Sequence, residues 1–163
     1  MSYVNLTKLA NKREKRTLYH GSPYKLDVLK PMQAGDKFKS KTKAGSRSAV
    51  YLSSNPDEAY LYAIMRPRGK KRSSFFLDGT RVHYLGGTPL NKQGYVHEVE
   101  TDRYTPPPKG LDPLGYTVDH ALIPTRRRRV RLRGNESRFV EYKTKAEYKR
   151  AQKPIIEKVL NRL

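Results

Sequence analysis

Apolar residues in this chain occur only in short segments, and that pattern limits the fold more than any other feature of the sequence. Residues 16–21, 49–53, 74–77, 81–85, 94–100, 116–123, 127–132 and 138–142 read as short strands. Within 94–100 the alternation sets Tyr95, His97 and Val99 on one side and Val96 and Glu98 on the other. Asp78-Gly79 lies between two of these segments and signals a hairpin. Helical signals are fewer. Ser54-Asn55-Pro56-Asp57-Glu58 opens a helix that continues through Met65: Ser54 or Asn55 can cap it, Pro56 suits the first turn, and the two carboxylates suit its positive end. A second helix is expected over 147–163, interrupted at Pro154, with Ile155, Ile156, Val159, Leu160 and Leu163 spaced to pack on the body. Residues 33–48 and 66–74 read as loop and basic turn. The sum is one small α+β domain with more strand than helix. The expected divisions are a basic arm or helix over 1–16, the domain over 17–145, and a C-terminal helix over 146–163.

Charge then narrows the partners. Lys and Arg number 35 against 15 Asp and Glu, which leaves a net charge of +20 on 163 residues. The hydrophobic fraction is 36 %, enough for a modest core only. Such a surface attracts polyanions, with released counterions making the attraction salt-dependent, so nucleic acid is the expected partner class. The cations are clustered. Arg68, Lys70, Lys71 and Arg72 belong to one group, and Arg127, Arg129, Arg131 and Arg133 to another. In the second group a strand sets Arg129, Arg131 and Arg133 on one face, as a phosphate track or as an edge strand kept soluble by charge. There is no Cys, which excludes a disulfide scaffold, a thiolate zinc site and a Cys nucleophile. His20, His83, His97 and His120 are scattered and form no helical pair, so no metal site is expected. No stretch reaches the roughly 18–20 apolar residues of a membrane helix, and residues 1–6 carry no signal-type apolar run. The expected setting is the cytoplasm, or the inside of a viral particle.

Two segments carry candidate chemistry. Leu18-Tyr19-His20-Gly21-Ser22-Pro23 is a strand that delivers a His beside a Gly, and Val50-Tyr51-Leu52-Ser53 is a second strand followed by the capped helix. Together with Gly94-Tyr95-Val96-His97-Glu98-Val99, they resemble the ADP-ribosyltransferase-like superfamily, above all its compact bacterial and phage members such as the rifamycin-modifying type. The resemblance covers roughly residues 17–132. It implies a small split core of mixed or antiparallel sheet with flanking helices. It also implies NAD as a substrate and mono-ADP-ribosyl transfer as the activity, onto a nucleic acid or a nucleic-acid-associated protein. Breaking the bond from ribose to nicotinamide gives the ribose oxocarbenium character, which a protein stabilises by fixing the dinucleotide and facing it with fixed charges and dipoles.

By the same resemblance, His20 bonds the adenosine ribose and the Gly21 backbone grips the nicotinamide amide. Tyr51 stacks on the nicotinamide ring, and Ser22 belongs to the same strand-end motif. Ser53 supports the end of its strand, and Tyr60 or Tyr62 completes an aromatic wall. The His20 and Tyr51 rings are expected to line one cleft on neighbouring strands. Relatives of the compact type often carry a Glu on a later strand, and here that register falls on Ala121. Asp119, two residues away, is then the candidate catalytic carboxylate, with His120 on the opposite face; Glu136, Glu141 and Asp102 are fallbacks. A ribonuclease using His, Lys and Tyr and an RNA 2′-phosphotransferase of the same fold are lesser branches. The reading from a different class is a catalytically degenerate scaffold that serves as a nucleic-acid-binding or virion-associated module, with its 12 Tyr available for stacking.

Overall fold

The computed structural model describes residues 13–33, 48–65, 74–87, 89–107 and 115–162. Its first half runs β1 (Arg16–Ser22), β2 (Met32–Gln33), β3 (Ser48–Leu52), α1 (Pro56–Met65), β4 (Phe75–Asp78) and β5 (Arg81–Leu85). The second half runs β6 (Gln93–Thr101), β7 (Tyr116–Val118), β8 (Arg126–Arg131), a 3-10 turn over Glu136–Arg138, β9 (Phe139–Tyr142) and α2 (Lys145–Arg162). The strands form three small sheets, ordered β1-β6-β8, β2-β3-β7 and β4-β5-β9. All pairs are antiparallel except β5 with β9. The α+β class is as expected, and β4-β5 is the expected hairpin, turning at Gly79 with φ of +60°.

Two cores share β1 and β6. Leu18 and Val99 pack with Val50, Leu52, Tyr116 and Val118 of the second sheet. On the opposite face of the first sheet, Val96 packs with Leu61 and Ile64 of α1 and with Val82 and Tyr84 of the third sheet. This partition follows from alternation along each strand: Leu18 points one way and its neighbour Tyr19 packs against the other core.

Helix α1 begins as its residues dictate. The Asn55 side-chain oxygen accepts the Asp57 N–H at 2.9 Å, which caps the first turn. The helix then lies very close to the first sheet. A Cβ on Gly21 would sit 1.8 Å from the Ala59 carbonyl oxygen, and one on Gly94 would sit 2.7 Å from the Ala63 oxygen. Glycine on the sheet and alanine on the helix therefore let the two backbones meet.

Three expectations need correction. Helix α2 is continuous through Pro154. Proline withholds one N–H from the Arg150 carbonyl, but both residues are exposed, so water can take the freed bond. Its apolar residues pack less than expected: Tyr148 is buried and Ile155 half-buried, whereas Ile156 and Leu160 are 46 % and 61 % exposed. Finally, β7 stops at Val118; residues 119 and 120 form a bend, and the chain rejoins only through the bridge of Leu122 to Leu29. The expectations for residues 1–12, for the loop over 34–47, for the side chain of Val159 and for Leu163 lie outside the described residues. So do those for Arg68, Lys70, Lys71 and Arg72.

Candidate functional site at the junction of the first two sheets

β1 and β3 meet at one point. Tyr19 and Ser53 exchange both backbone hydrogen bonds at 2.8 Å, and the strands then part. Tyr19 therefore directs its N–H and C=O at β3, and Gly21, two residues on, directs its own at the same edge. Antiparallel register would set Gly21 opposite Tyr51. Among the described residues no backbone partner takes the Gly21 pair on that edge. Instead the His20 Nδ1–H donates to the Tyr51 carbonyl at 2.9 Å, so the imidazole fills the place of the next ladder bond. The result is a notch bounded by the His20 ring, the Gly21 backbone and β3.

The same register corrects one expectation. Tyr19 and Ser53 share a face, so Tyr51 lies on the Tyr19 side of the sheet and His20 on the other. The two residues are neighbours, as expected, but they meet through the Tyr51 carbonyl, and their rings point to opposite faces. Tyr51 pairs across β7 with Thr117, and both are half-buried.

On the His20 face three strands contribute a row: His20 pairs with His97, and His97 with Arg127. His97 is fully buried. Its Nε2 accepts the Leu26 N–H at 2.9 Å, which leaves the proton on Nδ1, directed at the His20 carbonyl 3.3 Å away. Burial lowers the His97 pKa, while the bond to His20 opposes the shift. Arg127 Nε donates to the Leu26 carbonyl at 2.7 Å and its Nη2 to the Asp27 carbonyl at 2.9 Å. Leu26 is thus gripped at both its N–H and its C=O, and the segment after β1 is tied down across the sheet. Sequence reasoning misses His97 as a site residue, although its place between Tyr95 and Val99 in the alternation is a usable signal.

The other predicted residues divide as follows. The Ser22 hydroxyl is buried and accepts the Tyr24 N–H at 3.1 Å, closing the turn after β1. Ser53 is buried, accepts the Asn55 N–H at 3.0 Å and lies 3.2 Å from the Glu58 carboxylate. Tyr60 and Tyr62 are not brought to His20. Tyr60 is in the second core, donates to the Arg131 carbonyl at 2.9 Å and lies under the Arg138 guanidinium. Tyr62 packs edge-on against Phe75, in an apolar groove that α2 borders with Ile155 and Ile156.

Asp119 is 74 % exposed on the bend, and its carboxylate lies 3.2 Å from Nδ1 of His120. That proximity corrects the expectation of opposite faces, because the strand has already ended. Ala121 is exposed. Among the fallbacks, Glu141 lies on β9 in the third sheet and Glu136 accepts the Gly134 N–H at 2.8 Å, while the Asp102 carbonyl accepts the Arg13 N–H at 3.0 Å.

Of the predicted arginines, Arg127 is the clamp just described, and Arg129 and Arg131 are exposed on the same face of β8. Arg133 lies in the turn beyond the strand, which corrects the expectation that it continues the strand face. Among the described residues Arg126, Arg128, Arg129, Arg131 and Arg133 make no ion pair.

Among the described residues no cluster of three or more His, Asp or Glu side chains could hold a metal, and no helix is long and apolar enough to cross a membrane. Compared with known proteins, the chain matches no family model, no curated protein and no solved structure.

Proposed function

We propose that this chain is an NAD-dependent mono-ADP-ribosyltransferase, acting on a nucleic acid or a nucleic-acid-associated protein. One observation carries the proposal: the notch where β3 leaves β1, with the Gly21 N–H and C=O facing its edge and His20 and Tyr51 on either side. A primary carboxamide presents an NH2 donor group and a carbonyl acceptor side by side, the complement of that backbone pair. Tyr51 borders the notch from β3, on the side of the sheet that α1 covers at Gly21, and its role on the nicotinamide ring rests on the family resemblance. His20, on the other side, can bond a ribose hydroxyl.

The reaction breaks the bond from ribose C1′ to the nicotinamide nitrogen, and the electron pair leaves with nicotinamide. An acceptor oxygen or nitrogen forms the new bond at C1′ and gives up its proton. Asp119 is the carboxylate we assign to the developing positive charge, since it follows Thr117, the cross-strand partner of Tyr51. The test is NAD-dependent stabilisation together with nicotinamide release by wild type, His20→Ala, Tyr51→Ala and Asp119→Asn. A ligand at about 100 times its dissociation constant adds about 2.7 kcal/mol to stability. Wild type is expected to be stabilised and to release nicotinamide, and each variant to lose at least tenfold in rate. No stabilisation and no release by wild type would remove the reading.

A second reading is favoured by five exposed arginines without an ionic partner among the described residues, and by Ala121 at the position where the resembled compact family often carries Glu. Here the chain is a nucleic-acid-binding module on an inactive scaffold. Salt-dependent nucleic-acid binding with no nicotinamide release selects it.

A further inference from the structure

Beyond the Leu26 clamp, the His20 face of the first sheet becomes exposed toward its β8 edge. The next cross-strand row is Ser22, Tyr95 and Arg129, and the row after it pairs Gln93 with Arg131. Tyr95 is half-buried on the central strand, while Arg129 and Arg131 are exposed on the edge strand. Cross-strand partners have Cβ atoms about 5 Å apart, so Arg129 and Tyr95 leave the sheet side by side. Arg131 is two residues farther along, about 6.8 Å away. The Tyr95 ring is 6.4 Å from the His97 ring, and His97 is 6.1 Å from the His20 ring. The platform and His20 thus flank the same buried imidazole on one face.

We propose that this platform binds single-stranded nucleic acid, with Tyr95 stacking on an unpaired base and Arg129 and Arg131 holding successive phosphates. An aromatic face beside uncompensated cations suits a chain that alternates stackable bases with phosphates. A duplex hides its base faces, and an acidic protein offers charges without flat rings to stack. Asp27, on the clamped segment, sits 4.0 Å from Arg127, and among the described residues no carboxylate pairs with Arg129 or Arg131. The platform further serves as the track that brings a nucleotide acceptor toward His20, and this second part rests on the transferase reading.

The experiment is fluorescence anisotropy with labelled oligothymidylate, oligoadenylate and a duplex of equal length, at about 50 to 200 mM salt. The single strands should bind at least tenfold tighter than the duplex. The double variant Arg129→Ala, Arg131→Ala should lower the slope of log affinity against log salt by about 1.4, which is about 0.7 for each phosphate no longer neutralised. Tyr95→Ala should weaken binding about tenfold, and Tyr95→Phe should restore it.

Arg126 and Arg128 project from the opposite face of β8, so the double variant Arg126→Ala, Arg128→Ala is the charge-matched control. Equal affinity for duplex, equal loss in the control pair, or displacement by polyglutamate as effective as by oligonucleotide would each overturn the platform. Thermal midpoints of the arginine variants and of Tyr95→Phe should match wild type, since none of the exposed arginine side chains holds the fold and Phe keeps the Tyr95 ring. Single-strand binding that passes these tests without nicotinamide release retains the platform and removes only its role as an acceptor track. Nicotinamide release without single-strand preference removes the platform and its track role together and leaves the transferase reading standing.

Discussion

The two faces of the first sheet are made by the same three strands and have been put to different use. On the α1 face the backbone is pressed against the helix, and Gly21 and Gly94 leave no room for even one added carbon. On the opposite face the side chains act: His97 and Arg127 grip a crossing segment, and beyond them lie the half-buried Tyr95 and the exposed Arg129 and Arg131. Strand alternation therefore separates residues that fix the sheet in place from residues that can meet a partner. Gly21 stands on both sides of this division. Its missing Cβ is required by the helix, while its N–H and C=O face the notch at β3.

The sharpest way to break that comparison is Gly21→Ala. The new methyl would overlap the Ala59 carbonyl, so the helix must lift, and we expect a loss of about 3 kcal/mol or more, read by chemical denaturation. A variant as stable as wild type would show that α1 does not press on the sheet. Next in size is Arg127→Ala. It deletes two charged hydrogen bonds to the crossing segment, and about 2 kcal/mol should be lost. Amide exchange at Leu26 should rise with it, and unchanged protection there would mean that His97 alone secures the segment.

The smallest effect is one of pH. Burial holds the folded pKa of His97, and that of His83, below the ordinary value of about 6.5. Between the lowered folded values and about 6.5 the unfolded chain binds more protons, so stability is full at neutral pH and falls as the pH drops through that window. His97→Asn should flatten part of this slope, as measured by thermal midpoints from pH 7.5 down to pH 5. A slope of unchanged size would assign it to His83 and other groups.

Local chemistry was legible in the sequence and long-range pairing was not. The Asn55 cap and the turn at Gly79 are decided by neighbouring residues, and both stand where the sequence sets them. The alternation of β6 correctly put His97 beside Val99 on an apolar side, but not what it would hold, because Leu26 reaches it from across a turn. The opposite facing of the His20 and Tyr51 rings depends on one bridge between residues 19 and 53, a register that neither segment encodes alone. Tyr60 and Tyr62 were legible as helical residues, but their neighbours Arg131 and Phe75 come from distant strands. The exposure of Ile156 and Leu160 on α2 likewise depends on how far the third sheet extends beneath that helix.

The parallel pairing of β5 with β9 has a consequence for how the molecule is made. The β4-β5 hairpin can close as soon as it leaves the ribosome, but its third strand is synthesised only after β6, β7 and β8. Until then one side of β5 is an uncapped ladder, open to the same strand of a neighbouring nascent chain. Slow translation over residues 86–138 would lengthen that exposure, and growing yields from a chaperone that shields strand edges would be its signature.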